Sequence, residues 1–196
     1  MDINTSLIFQ HVDKHISLEK NEREIFVNYL TTRSVKRKQF LLREGDICKY
    51  STFVNKGCLR GFTIDRNGFE HVLSFAPPGW WIGDMYSLIT QKPGSLNIEA
   101  LEETEVLLLS KVHQEILCKE VPKFEHFFRV IIENSLVSSH LRLTENFSLS
   151  AEERYLNFCR KYPTLIQTLP QKQIASYLGI TPEFFSKMKR SLLKKK

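Results

Sequence analysis

The sequence predicts an α+β chain: a β-domain of antiparallel sandwich, roll or barrel type, then one long helix, then a small helical unit. Three observations carry this. Glycines recur at Gly45, Gly57, Gly68 and Gly79 beside turn-forming neighbours, and the runs between them, YSTFV, LRGFTI and EHVLSFA, are rich in β-branched and aromatic residues. Around Pro122 the apolar spacing changes to the three- and four-residue steps of a helix, through Phe124, Phe127, Phe128, Ile131, Ile132, Leu136, Val137 and Leu141. Charge then changes too: residues 150–196 hold 10 Lys+Arg against 3 Asp+Glu, or +7, whereas residues 1–149 hold 18 against 19, or −1. Whatever the chain binds by charge, it binds with its last quarter.

Taken in order, 17–30 reads as a short amphipathic helix, the glycine-punctuated runs as strands, and IEALEETEVLLLS, 98–110, as the closing hairpin. The apolar stripe of the long helix is wide, with three phenylalanines near its start. Such a helix outgrows its own domain and buries the remainder against a second subunit. Ser150, with Glu153 three residues on, forms a capping box and marks a boundary. The expected organisation is therefore 1–120, a β-domain; 121–148, a dimerisation helix; and 149–196, a helical unit.

With 196 residues and 42% hydrophobic side chains, a core of useful size can form. The chain has no apolar run of the roughly 18 residues a membrane helix needs, and MDINTSLIFQHVDKHIS lacks the pattern of a signal peptide. A cytoplasmic protein with no membrane partner is expected. Cys48, Cys58, Cys118 and Cys159 are scattered without a CxxC, which suits reduced thiols better than a disulfide framework or a metal site. His11, His15, His71, His113, His126 and His140 are isolated and are read as unligated.

The stretch QKQIASYLGITPEFFSKMKR, 171–190, fits a helix-turn-helix. Ile174 and Leu178 share one face, Ala175 permits a close crossing, and Gly179 supplies the turn. Thr181 serves as N-cap before Pro182, the residue suited to a first helical position. Phe185 and Met188 then face the first helix, leaving Glu183, Phe184, Ser186, Lys187 and Arg190 on the other side. Glu183, Ser186 and Lys187 suit base edges, whereas Lys189, Arg190 and Lys194, with the rest of 194–196, suit phosphates.

Across nearly all its length the sequence resembles the Crp/Fnr family of bacterial transcription regulators. LLREGDICKYSTFVNKGCLRGFTIDRNGFEHVLSFAPPGWWIGDMYSLI, 41–89, is similar to that family's cyclic-nucleotide-binding-type β-roll, with REGD, the NKG and DRNG turns and IGD in the expected order. SAEERYLNF, 150–158, and IASYLGITPEFFSKMKR, 174–190, resemble the start and the recognition unit of its DNA-binding domain. The resemblance implies a jelly-roll-like (double-stranded β-helix) sensor, a dimerisation helix and a homodimer reading an inverted repeat in duplex DNA, with RNA polymerase as a further partner. The family usually continues into a β-hairpin wing past the recognition helix; here 194–196 are expected to supply such backbone contacts.

The resemblance also marks a departure. Family members that bind cyclic nucleotides hold the ribose with a glycine and a glutamate and the phosphate with an arginine beside a small residue. Gly83 and Asp84 stand in the first two places, and Gly94 and Ser95 where the arginine and its neighbour belong. A buried phosphate without a cation forfeits ~3 to 5 kcal/mol, or ~100-fold in affinity. Tight binding of cyclic AMP is not expected, and no cofactor is assigned. Arg60 or Lys92 could rescue the phosphate by pointing into the roll, and Trp81 or Trp80 could line a cavity for another effector, of unknown identity.

An iron–sulfur sensor would need an N-terminal cysteine cluster, and the first cysteine is Cys48. Two other classes fit less of the sequence: a cupin-like metal enzyme, for which His71 stands without an HxH, and an interaction module that has lost DNA binding. No enzyme activity is expected.

Overall fold

The structure, a computed structural model, describes residues 4–194, leaving aside the side chains of 193 and 194. Helices α1 (Ser6–Val12) and α2 (Lys20–Asn28) lead into strands β1 (Leu30–Val35), β2 (Phe40–Leu42), β3 (Tyr50–Lys56), β4 (Leu59–Ile64), β5 (Glu70–Ala76) and β6 (Trp81–Ile82). Helix α3 (Met85–Thr90), strands β7 (Asn97–Ala100) and β8 (Thr104–Ser110), and helix α4 (Lys111–Glu120) follow. The 26-residue α5 (Lys123–Ser148) precedes α6 (Ala151–Lys161), α7 (Leu165–Thr168), α8 (Gln171–Leu178) and α9 (Pro182–Lys194).

The chain divides into two compact units. The first comprises Met1–Thr63 and Ser74–Glu133, the second Ile64–Leu73 and Asn134–Lys196. The division falls inside α5, and the tip of the β4–β5 hairpin belongs with the C-terminal helices.

In the first unit the strands form two four-stranded sheets, in the orders β1-β8-β3-β6 and β2-β7-β4-β5. The last two strands differ from the sequence expectation: β7 pairs with β2 and β4, and β8 with β1 and β3, so 98–110 is no hairpin but a crossing from one sheet to the other. The run VLLL in β8 has its reason here. Val106 and Leu108 meet Val54, Leu59 and Ile98 between the sheets, while Leu107 and Leu109 alternate to the opposite face and pack on Phe26, Leu117 and Phe124. Both faces of that strand are buried, so its sequence shows no alternation.

The helical side of the first unit is an aromatic cluster. Phe53 lies 5.3 Å from Trp81, and Phe127 lies 5.1 Å from Phe128. His11 sits 5.8 Å from Phe53 and 5.9 Å from Phe127. Burial, then the positive charges of His15 and Lys14, pull its pKa from 6.5 down to about 4. The folded chain therefore holds His11 neutral while the unfolded chain protonates near pH 6.5. This contribution is complete above that pH and is lost as pH falls towards 4. Because the ring is only half-buried and water screens part of the effect, we expect about 1 kcal/mol of stability to disappear between pH 7 and pH 5, and most of that slope to vanish in His11→Gln; urea unfolding at the two pH values measures both.

In the second unit Ser150 caps α6 as its sequence predicts: its hydroxyl accepts from the Glu153 amide and the Glu153 carboxylate accepts from the Ser150 amide at 2.9 Å. Tyr155, Phe158, Tyr162, Tyr177 and Phe185 build the aromatic interior. Tyr155 meets Phe185 at 5.3 Å, and Phe158 meets Tyr177 at 5.2 Å.

Candidate nucleic-acid interface and effector cassette

The helix-turn-helix is assembled from the residues its steric demands name. Ile174, Ala175 and Leu178 of α8 are buried, Gly179 takes φ 67° in the left-handed region, and its amide and that of Ile180 return to Ser176 and Ala175 carbonyls. The Thr181 hydroxyl accepts from the Phe184 amide at 3.2 Å and starts α9. Phe185 is fully buried, Met188 half-buried. Glu183, Phe184, Lys187 and Arg190 are exposed together on the outer side of α9. Ser186 is half-buried and returns its hydroxyl proton to the Pro182 carbonyl at 2.9 Å. Lys189 is also half-buried, its charge felt by the Cys159 thiol. The side chain of Lys194 and residues 195–196 lie outside the described residues.

Three neighbours of this motif carry no signal in the sequence. Arg142 of α5 is largely withdrawn from water: it donates to the carbonyls of Val72 (2.8 Å), Leu73 and Tyr177 (3.0 Å) and stacks 4.1 Å over the Tyr177 ring. Burial pulls its guanidinium below the usual arginine value, with Tyr177, Tyr162 and Glu145 offsetting part of this. Arg154 donates to the carbonyls of Leu178 (3.1 Å) and Leu149 (2.9 Å). Two arginines thus meet the last carbonyls of α8, which a helix end leaves without internal partners. Ser176 completes the contact, accepting from the Val72 amide at 2.9 Å and donating to the Glu70 carbonyl at 2.6 Å.

The candidate effector residues Gly83, Asp84, Gly94 and Ser95 lie between β6 and β7. Asp84 is buried and caps α3; its two carboxylate oxygens accept from the amides of Ser87 (3.0 Å) and Leu96 (3.2 Å). Gly94 exchanges backbone hydrogen bonds with the 45–46 loop. A Cβ at position 94 would stand 2.2 Å from the Asp84 carboxylate, so any side chain there must displace it. The Ser87 and Leu96 amides are thus held by the chain's own carboxylate. Gly83 lies beside Tyr50 and Cys48, while Ser95 and Lys92 are exposed.

Arg60 does not join these residues. Leu59 and Gly61 of β4 face the space between the sheets, where Gly61 approaches Leu96 and Ile82. Arg60, one residue out of phase, faces the other way. There it is buried, paired with Glu99 at 2.6 Å and 4.0 Å over Phe62. Trp81 is likewise turned from the inter-sheet space, into the aromatic cluster with Phe53, Phe127 and Phe128. Among the described residues no three His, Cys, Asp or Glu side chains group to hold a metal, and no helix is long and apolar enough to cross a membrane.

Residues 32–120 match the family described as cyclic nucleotide-binding domain. The chain is similar to the anaerobic regulatory protein of Haemophilus influenzae, 23% identical over 167 residues, which cover 80% of this chain and 64% of that protein. It is similar to the transcriptional regulatory protein btr of Bordetella pertussis, 24% identical over 94% of this chain and 80% of that one. In fold it resembles the solved structure of FixK2 from Bradyrhizobium japonicum, with a TM-score of 0.73 and 19% identity over 85% of each chain. The chain thus carries a stretch similar to the cyclic nucleotide-binding domain and is similar along most of its length to regulatory proteins.

The chain spans just under two thirds of the length of the Haemophilus relative. Its matched domain ends with α4, so α5 and the helix-turn-helix lie outside the matched residues.

Proposed function

We propose that the protein is a sequence-specific, DNA-binding transcription regulator that works in the cytoplasm as a homodimer. The observation that carries this reading is the helix-turn-helix: a glycine in the left-handed turn, a capped second helix, a buried Phe185, and Glu183, Lys187 and Arg190 exposed together. Lys187 and Glu183 stand near the start of α9, where a recognition helix meets base edges in the major groove. Arg190, a turn on, meets the phosphate backbone.

A single chain leaves Ile132, Leu136, Val137, Leu141, Leu143 and Phe147 of α5 exposed. Ile132, Leu136, Leu143 and Phe147 recur at helical spacing, and a second α5 is the surface that buries such a stripe. Two α9 helices related by a twofold axis would read half-sites about 34 Å apart.

The reading includes an effector domain that does not take cyclic AMP tightly. Asp84 occupies the Ser87 and Leu96 amides, and Arg60 faces away and is paired with Glu99.

Titration of binding against salt tests the assignment of roles. Arg190→Ala should weaken binding to every duplex alike and reduce the slope of log affinity on log salt by about 1. Lys187→Ala should cost about 1 to 3 kcal/mol on the preferred sequence and much less on random DNA. Equal losses on both sequences for Lys187→Ala would remove it from base reading.

A further inference from the structure

We infer that Phe184 makes the specificity of α9 depend on a methyl group: the preferred ligand is duplex DNA that offers the 5-methyl of a thymine to this side chain in the major groove. The inference rests on the reading of α9 as a recognition helix. Phe184 is 53% exposed, whereas its neighbour Phe185 is fully buried and takes the place against Tyr155. The core of the unit therefore leaves the second phenyl ring outside.

The side chain is positioned by the fold itself. The Phe184 amide donates to the Thr181 hydroxyl at 3.2 Å, which fixes the first turn of α9. Lys187 follows three residues on and Ser191 seven on, both exposed, so the three share one flank of the helix. Phe184 and Lys187 are about 4.5 Å apart along the axis, close to the ~3.4 Å step between base pairs. A base edge met by Lys187 thus has its neighbour within reach of the ring.

Polarity decides what the ring can meet there. A phenyl group neither donates nor accepts, so it adds nothing to a phosphate contact and cannot read guanine, adenine or cytosine by hydrogen bonds. Set against their amino or carbonyl groups, it strips water and returns no partner. The thymine methyl is the one apolar group on the floor of the major groove, and burying it against the ring removes apolar surface from water on both sides. A wedge between base steps is the other use of an exposed phenyl, and it belongs to minor-groove binding. Glu183 and Lys187 beside Phe184 carry the acceptors and donors that match the major groove instead.

The test is titration of the purified full chain, by fluorescence anisotropy, against the duplex it selects from random DNA. Copies of that duplex carry deoxyuridine in place of each thymine in turn, a change that removes only the methyl. At one position in each half-site the replacement should weaken binding about fourfold. Phe184→Leu, which keeps an apolar end, should keep most of that loss. Phe184→Ala should bind the thymine and deoxyuridine duplexes within about 1.5-fold of each other. Both variants change an exposed side chain and should melt with the unaltered chain. A preferred duplex whose affinity survives every replacement, or a loss that persists in Phe184→Ala, would overturn the methyl contact and leave the DNA-binding reading standing. Selection of no preferred duplex would overturn both.

Discussion

Phe185→Ala should unfold the second unit near room temperature while leaving the first unit folded. The phenyl ring is fully buried, meets Tyr155 edge-on at 5.3 Å, and follows the turn that sets α9 on α8. Truncation removes the ring's burial and leaves a cavity, a combination that costs about 3 to 5 kcal/mol when neighbours cannot collapse. A unit of this size has little more than that to lose. Phe185→Leu keeps most of the volume and should cost under half as much. Circular dichroism with urea would report a separate early transition in Phe185→Ala; a single transition at the unaltered midpoint would mean that the ring is not the keystone of the unit.

Arg142→Met should weaken the second unit nearly as much, by about 3 kcal/mol. The methionine keeps the methylene packing but withdraws the donors that serve the Val72, Leu73 and Tyr177 carbonyls. The Val72 and Tyr177 carbonyls then lose charge-assisted bonds in a part-buried setting, while the Leu73 carbonyl turns to water. Arg142→Lys should fall between, because an ammonium neither stacks flat on Tyr177 nor spans three acceptors. Hydrogen exchange at the Val72 amide is the local readout: it is held by Ser176 at 2.9 Å and should exchange faster once the hairpin tip is released. An exchange rate and urea midpoint unchanged in Arg142→Met would contradict this account.

What could be read in the sequence was what local sterics dictate. Gly179, the Thr181-Pro182 start and the Ser150-Glu153 box each impose a conformation within a few residues, and the structure has all three. The glycine turns at 45, 57, 68 and 79 all take positive φ for the same reason. The topology was less legible. The segment 98–110 has the composition of a hairpin, but its two halves are recruited by different sheets, a choice made by partners as far off as β1 and β2.

Side-chain direction was the least accessible. Whether Arg60 points into the roll depends on which face of β4 is inside, and that is settled by the small space around Gly61. Trp81 was open to either face for the same reason. Arg142, Ser176 and the hairpin tip meet across 35 to 106 residues of chain, and nothing within a short window announces such contacts. The cassette lies between these extremes. The replacement of its arginine position by Gly94 is plain in the sequence, but that Asp84 fills the space beside it needs coordinates.

The central claim is that α9 reads DNA sequence as one of a pair. It is tested most directly by selecting bound sequences from random duplex DNA with the purified protein, at ~0.15 M salt, where non-specific phosphate contacts are weakened. The account predicts recovery of an inverted repeat whose half-sites lie about one helical turn apart. Recovery of DNA without any shared sequence by the folded protein would contradict it.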